Sequence, residues 1–233
     1  PGTEARLGGG AGNLNYGYVL GGYDGVSWAG ASIVYRVDYA SDSSTASTKG
    51  PLSSGRKYVN SVANNNYAYT DGGYPSTTKA VIDRLDFAND TNAATSLGNI
   101  FSPGGRENAA AGNLNYGYFA GGGGYIDRIS TVTRLDYGND TAATSPKGPL
   151  TDISSNNSAT GNVNYGYFQT NQGWNYLTLI SRVDYANDTA TASPKGPLAS
   201  SSYMKDATGS SDFGYFTGGK TSGPSSISSV DRI

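Results

Sequence analysis

The chain has 233 residues, 34 of them Gly and 19 Tyr, with a formal net charge of -2. It has no cysteine and no histidine, which removes thiol nucleophiles, imidazole bases, disulfides and the usual zinc ligands, so neither cofactor nor metal is expected. No apolar run approaches the roughly 20 residues of a membrane-spanning helix, and no basic stripe offers a surface for nucleic acid.

One phrase returns along the chain: Asn15-Tyr16-Gly17-Tyr18, Asn66-Tyr67-Ala68-Tyr69, Asn115-Tyr116-Gly117-Tyr118, Asn164-Tyr165-Gly166-Tyr167 and Asp212-Phe213-Gly214-Tyr215. Its first aromatic steps from 16 to 67, 116, 165 and 213, a period of 48–51 residues. A second phrase keeps phase with it: Arg36-Val37-Asp38-Tyr39, Arg84-Leu85-Asp86-Phe87, Arg134-Leu135-Asp136-Tyr137 and Arg182-Val183-Asp184-Tyr185. A third, Lys-Gly-Pro-Leu, stands at 49–52, 147–150 and 195–198, and the second unit replaces it with Leu97-Gly98-Asn99-Ile100. A period of this length is that of a solenoid, a propeller or an array.

The units fall at about 1–52, 53–102, 103–150, 151–198 and 199–233, within a single domain. Each reads as four short strands. In the third unit these are a small-residue strand at about 106–114, then 116–120 ending in Gly121–Gly124, then about 130–138, and after an Asn139-Asp140 turn about 141–146. Pro149 ends the unit, since it cannot donate to a ladder. The expected fold is all-β: a five-bladed β-propeller of four-stranded antiparallel blades of about 50 residues. Gly8–Gly12, Ser158–Gly161 and Ala207–Ser210 suit inner strands crowded around a narrow axis, and the second-strand aromatics suit the space between blades. The last unit breaks off in its third strand, so its blade lacks an outer strand. Residues 226–233 then form an open edge for a neighbouring chain, a homo-oligomer partner or another part of the polypeptide.

The aromatic strand ending in a Gly pair, then a Tyr-bearing strand, a Pro-containing link and an Arg, resembles a kelch repeat. The Gly pairs are Gly21-Gly22, Gly72-Gly73, Gly121-Gly122 and Gly218-Gly219, with Asn171-Gln172-Gly173 in the fourth unit; the tyrosine position is Tyr39, Phe87, Tyr137 and Tyr185; the Arg position is Arg6, Arg56 and Arg106. The longer phrase Asp-Tyr-Ala-Asn-Asp-Thr followed by Lys-Gly-Pro-Leu is similar to repeats in virion structural and tail-fibre-like proteins of marine, cyanobacteria-infecting phages. That resemblance implies a virion or extracellular location and a host-facing or particle-decorating role.

Features copied in every unit read as structural. Arg134 and Asp136, two apart in a strand, share a face, as do Arg36 and Asp38, Arg84 and Asp86, and Arg182 and Asp184, and are expected to form a structural ion-pair ladder repeated between blades rather than a functional ring of acid and base groups. Asn-Asp-Thr at 89–91, 139–141 and 187–189 matches a glycosylation acceptor but falls where a hairpin must turn. The link between the second and third strands varies most, and all five links leave the same face of the disc. It carries Tyr23, Asp24, Trp28, Tyr74, Tyr125, Asp127, Trp174, Asn175 and Tyr176, aromatics and hydrogen-bonding groups suited to stacking on a sugar. The expected function is non-catalytic binding of a host-surface glycan or partner protein through this loop face. A stand-alone carbohydrate-binding lectin is the alternative. A glycoside hydrolase, which needs a carboxylate pair, is the third class, and no catalytic residue is singled out.

Overall fold

The computed structural model describes residues 7–23, 25, 29–74, 81–99, 105–123, 128–155, 158–171, 177–221 and 225–233. Short polar side chains set the local reversals. Asn13, Asn64, Asn113 and Asn162 each accept, through Oδ1, from the backbone N–H groups two and three residues on. This satisfies the tight turn between a first and a second strand. Asp38, Asp86, Asp136 and Asp184 accept from the N–H two residues on. Each thereby winds the next three residues, beginning at Tyr39, Phe87, Tyr137 and Tyr185, into a 3₁₀ turn.

Between these reversals lie the strands. Blade one holds β1 (Gly9–Gly12), β2 (Tyr16–Leu20), β3 (Val34–Asp38) and β4 (Ser47–Lys49); blade two, β5 (Asn60–Ala63), β6 (Tyr67–Asp71), β7 (Val81–Asp86) and β8 (Thr95–Asn99). Blade three holds β9 (Ala109–Gly112), β10 (Tyr116–Ala120), β11 (Val132–Asp136) and β12 (Ser145–Lys147); blade four, β13 (Ala159–Gly161), β14 (Tyr165–Gln169), β15 (Ile180–Asp184) and β16 (Ser193–Lys195). Blade five holds β17 (Asp206–Gly209), β18 (Gly214–Thr217) and β19 (Val230–Arg232). Each sheet is antiparallel and ordered as in the chain, four sheets with four strands and the last with three. The protein is an all-β, five-bladed β-propeller. The fourth strand of blade three begins at Ser145 rather than near 141, because the Asp136-capped turn and the Ala142 N–H to Asn139 carbonyl bond use the intervening residues.

The first strands line the axis, where β1 packs on β5, β5 on β9, β9 on β13 and β13 on β17. The small residues have a steric cause: a Cβ on Gly9 would run into Ser61 Oγ of the next blade. Farther out, aromatic pairs join blades. Tyr18 stacks on Phe87 at 4.9 Å, Tyr69 on Tyr137 at 4.7 Å and Tyr118 on Tyr185 at 4.6 Å. Leu52 and Leu150, from Lys-Gly-Pro-Leu, are buried with the first and third pairs, and Leu198 is buried with Ile180 and Phe216, each burial contributing about 1.5–3 kcal/mol.

The repeated arginines do not pair with the aspartate two residues on. Arg36 donates to Asp90 Oδ2, Arg84 to Asp140 Oδ2 and Arg134 to Asp188 Oδ2, each at 2.7 Å and each in the following blade. Tyr18, Tyr69 and Tyr118 donate to those same oxygens at 2.9–3.0 Å. Lys49 and Lys147 reach the other oxygen of Asp90 and Asp188 at 3.3 and 3.2 Å. Burial, then the bond to the aspartate, pushes all three tyrosine hydroxyls well above their usual range, so they stay protonated donors. The first aspartate of each phrase caps its own turn; the second, in Asn-Asp-Thr, accepts the bonds between blades.

Candidate functional site at the axial mouth

At the end of the disc where the first strands begin and the second strands finish, a cavity of about 570 Å³ opens on the axis. All five blades line it. At its rim one backbone position recurs in an unusual conformation: Leu7, Tyr58, Glu107 and Met204 have φ of 62°, 59°, 59° and 54°. These are equivalent residues of blades one, two, three and five; residue 156, their counterpart in blade four, lies outside the described residues. Non-glycine residues held at positive φ cost about 1–2 kcal/mol each. Glycine would relieve the strain, and here it is replaced by four different side chains facing one cavity.

Inside the rim, polar groups form a chain. Asn60 Nδ2 donates to the Asn108 carbonyl at 2.7 Å and to Asn108 Oδ1 at 2.8 Å, and Asn108 Nδ2 donates to Asp71 Oδ2 at 2.5 Å. Asp71 is fully buried, and burial pushes its carboxyl up to about 7 against the pull of the Asn108 bond and of Arg56. Its Oδ1 and the Oε2 of Glu107 are shielded and have no hydrogen-bond partner among the described residues. Burial also raises the Glu107 carboxyl, with Arg106 and Arg128 opposing. Lys205, although in the wall, is turned away to Asp231 at 3.2 Å and the Gly218 carbonyl at 3.2 Å. The wall itself holds the Asn60 and Asn108 carboxamides and the Tyr58, Glu107 and Met204 side chains, a mixture that suits a compact, hydroxyl- or amine-bearing ligand.

Of the residues expected on the link loops, Tyr23 and Tyr74 are described. Tyr23 bridges Gly30 and Tyr74 bridges Lys57 through the backbone. The ammonium of Lys57 sits 5.5 Å from the Tyr23 ring centroid and 5.1 Å from that of Tyr74, and Arg106 lies 5.8 Å from the Tyr74 ring. The result is an alternating row of rings and cations beside the mouth, with Tyr74 39% exposed, held by cation–π attraction. Asp24, Trp28, Tyr125, Asp127, Trp174, Asn175 and Tyr176 lie outside the described residues. In blade four, register pairs Gln169 with Ile180 as it pairs Ala120 with Val132. The Gly pair is therefore replaced by Thr170-Asn171, one residue earlier than the expected Asn171-Gln172-Gly173, and neither has a positive φ.

Sequence reasoning missed the rim residues and the Asn60–Asn108–Asp71 chain. The available signal was a column of the repeat, nine residues before the recurring aromatic, which reads Leu7, Tyr58, Glu107, Asn156 and Met204. Among the described residues no group of three or more His, Cys, Asp or Glu is gathered as metal ligands, and no helix is long and apolar enough to cross a membrane.

Comparison with known proteins adds the architecture. No family model matches the chain, and no curated protein does. Among solved structures, one described as the structure of YjhT superposes with a TM-score of 0.77 over 99% of this chain and 81% of that chain, at 15% identity. At that identity the likeness shows the fold alone.

Proposed function

We propose that this propeller is a non-catalytic binding module that holds a glycan or a polar segment of a partner protein at its axial mouth. The observation that carries this reading is the rim. Equivalent, strained positions of several blades present an alkyl, a phenol, a carboxylate and a thioether to one cavity. A binding surface repeated blade by blade would instead place like residues at like positions, so a single composite site fits better than a multivalent lectin. The repeated carboxylates have structural partners: Asp90, Asp140 and Asp188 hold the seams, while Asp83 pairs with Arg56 and Asp231 with Lys205. The likeness of Asp-Tyr-Ala-Asn-Asp-Thr and Lys-Gly-Pro-Leu to phage particle repeats supports a virion or extracellular setting with a host-surface target.

The test is a glycan array, followed by calorimetry on any hit. The expected outcome is one ligand per chain, with affinity falling at least about tenfold, some 1.4 kcal/mol, in Tyr58→Ala and in Glu107→Gln. Loss on Trp28→Ala or Trp174→Ala with both rim variants unaffected would move the site to the link loops. A stoichiometry near five would favour the lectin reading.

A further inference from the structure

Blade two departs from the repeat at the axial mouth. The last residue of the second strand reads Leu20, Asp71, Ala120, Gln169 and Thr217 in blades one to five. Leu20 and Ala120 are buried and apolar. Gln169 is satisfied at both ends, accepting from Ser158 Oγ at 3.1 Å and donating to the Ser202 carbonyl at 2.8 Å. Asp71 alone puts a carboxyl here. It is 1% exposed, and its Oδ1 has no hydrogen-bond partner among the described residues. Arg56, the cation that acts on it, is committed to Asp83 and to the carbonyls of Gly72 and Val81, both at 2.9 Å. A buried carboxylate short of partners destabilises a fold, and the other blades show that the fold does not require one at this position. Asn108 connects it to the cavity: its amide donates to Asp71 Oδ2, and the residue lines the wall beside Asn60 and Glu107. Glu107 has a second unpaired oxygen, Oε2; Arg106 and Arg128 oppose its charge, but neither forms an ion pair with it among the described residues. The other charged side chains of the wall are the exposed Asp206 and Lys205, whose ammonium is spent on Asp231 and the Gly218 carbonyl.

We infer that the ligand of the mouth carries a compact cation, the ammonium of an unacetylated amino sugar, held by Glu107 and by the field of Asp71 behind Asn108. This rests on the axial mouth being the binding site. An ammonium brings three donors and no acceptor, which matches a wall whose unspent charge is negative. Two shielded carboxylates attract it more strongly than the same charges would in water. The rest of the wall selects the sugar. Asn60, Ser61, Ser158 and Thr208 spread hydrogen-bonding groups over four blades. The hydroxyls of a pyranose can use them, whereas a lysine side chain is apolar up to its ammonium. Tyr58 adds the aromatic surface on which a sugar ring packs. The Asp71 carboxyl, pushed up to about 7 by burial, is partly protonated at neutral pH. A bound cation favours its ionised form, so binding releases a proton.

The probe is an unacetylated glucosamine trimer, set against its N-acetylated counterpart by calorimetry at pH 7 in phosphate and in Tris. The amine form is expected to bind at least about tenfold tighter, with an apparent enthalpy that differs between the buffers because a proton is released. Asp71→Asn should remove most of the release and of the preference. Acetylation changes the ligand alone and leaves the protein fold untouched. Equal affinity of the two trimers, weakened alike by Tyr58→Ala, would overturn the cation while keeping the mouth as the site. Amine-selective binding that Tyr58→Ala and Glu107→Gln leave unchanged would overturn both. Binding of neither trimer, or a preference and proton release that survive Asp71→Asn, would also overturn the inference. A trilysine peptide that displaces the amine trimer at lower concentration would overturn the sugar and assign the mouth to a protein partner.

Discussion

At the seams, equivalent positions carry the same residue: Tyr18, Tyr69 and Tyr118 face Asp90, Asp140 and Asp188. At the axial mouth, equivalent positions carry Leu7, Tyr58, Glu107 and Met204. Both regions come from one repeat, so the contrast separates two demands. A seam must satisfy the same buried groups each time, and one solution serves. The mouth faces a shared cavity in which each blade contributes one corner, so its residues are free to differ while the backbone that presents them stays the same. In this protein, constancy marks what holds the disc together, and variation marks the mouth where the proposed binding site lies.

The largest expected effect breaks a filled seam. Asp188→Ala leaves Arg134, Lys147 and Tyr118 facing no acceptor and should destabilise the fold by about 3–5 kcal/mol in urea unfolding; Asp42→Ala, at the exposed equivalent position in blade one, should change stability by less than about 0.5 kcal/mol. Equal losses would show that the seams do not depend on these pairs. Next comes pH. The Asp71 carboxyl titrates near 7 in the folded chain and near 3.9 when unfolded. Between those values the folded state holds a proton that the unfolded state has lost. Its contribution is complete below about pH 4 and disappears as pH rises towards 7, a loss of roughly 2–4 kcal/mol. Asp71→Asn should flatten that slope in urea midpoints taken across the range, and an unchanged slope would assign it to other groups.

A smaller effect compares two glycines of the same phrase. Gly148→Ala collides with backbone and should cost about 1–3 kcal/mol, while Gly196→Ala, whose Cβ would meet nothing within 4 Å, should be close to neutral. The smallest concerns the rim. Met204→Gly should be more stable than Met204→Ala by about 1 kcal/mol, because glycine relieves the positive φ. A reversed order would mean that the rim backbone is not strained.

Blade number, the small inner strands and the aromatic filling between blades were legible because each is a column of the repeat, and columns are visible in one sequence. The partner of Arg134 was not. Asp136, two residues away on the same strand, looked suitable, but its carboxylate is taken by the Gly138 N–H of the following turn. The real acceptor, Asp188, lies 54 residues on, a separation that only the packing of one blade against the next brings to hydrogen-bond distance. The mouth escaped for a related reason. Tyr58 and Glu107 are unremarkable beside their chain neighbours, and they acquire meaning from a shared left-handed backbone and a common axis.

The seams also have a direction. In the three clusters around Asp90, Asp140 and Asp188, the tyrosine and arginine donors sit in the earlier blade and the accepting aspartate in the later one. On the ribosome, therefore, a blade emerges with its donors exposed and is locked only when its successor's turn has been made. At about 5–20 residues per second, the 54 residues from Arg36 to Asp90 correspond to a wait of roughly 3–11 s. Synthesis from the amino end thus clasps the blades in order, each one finished by the next.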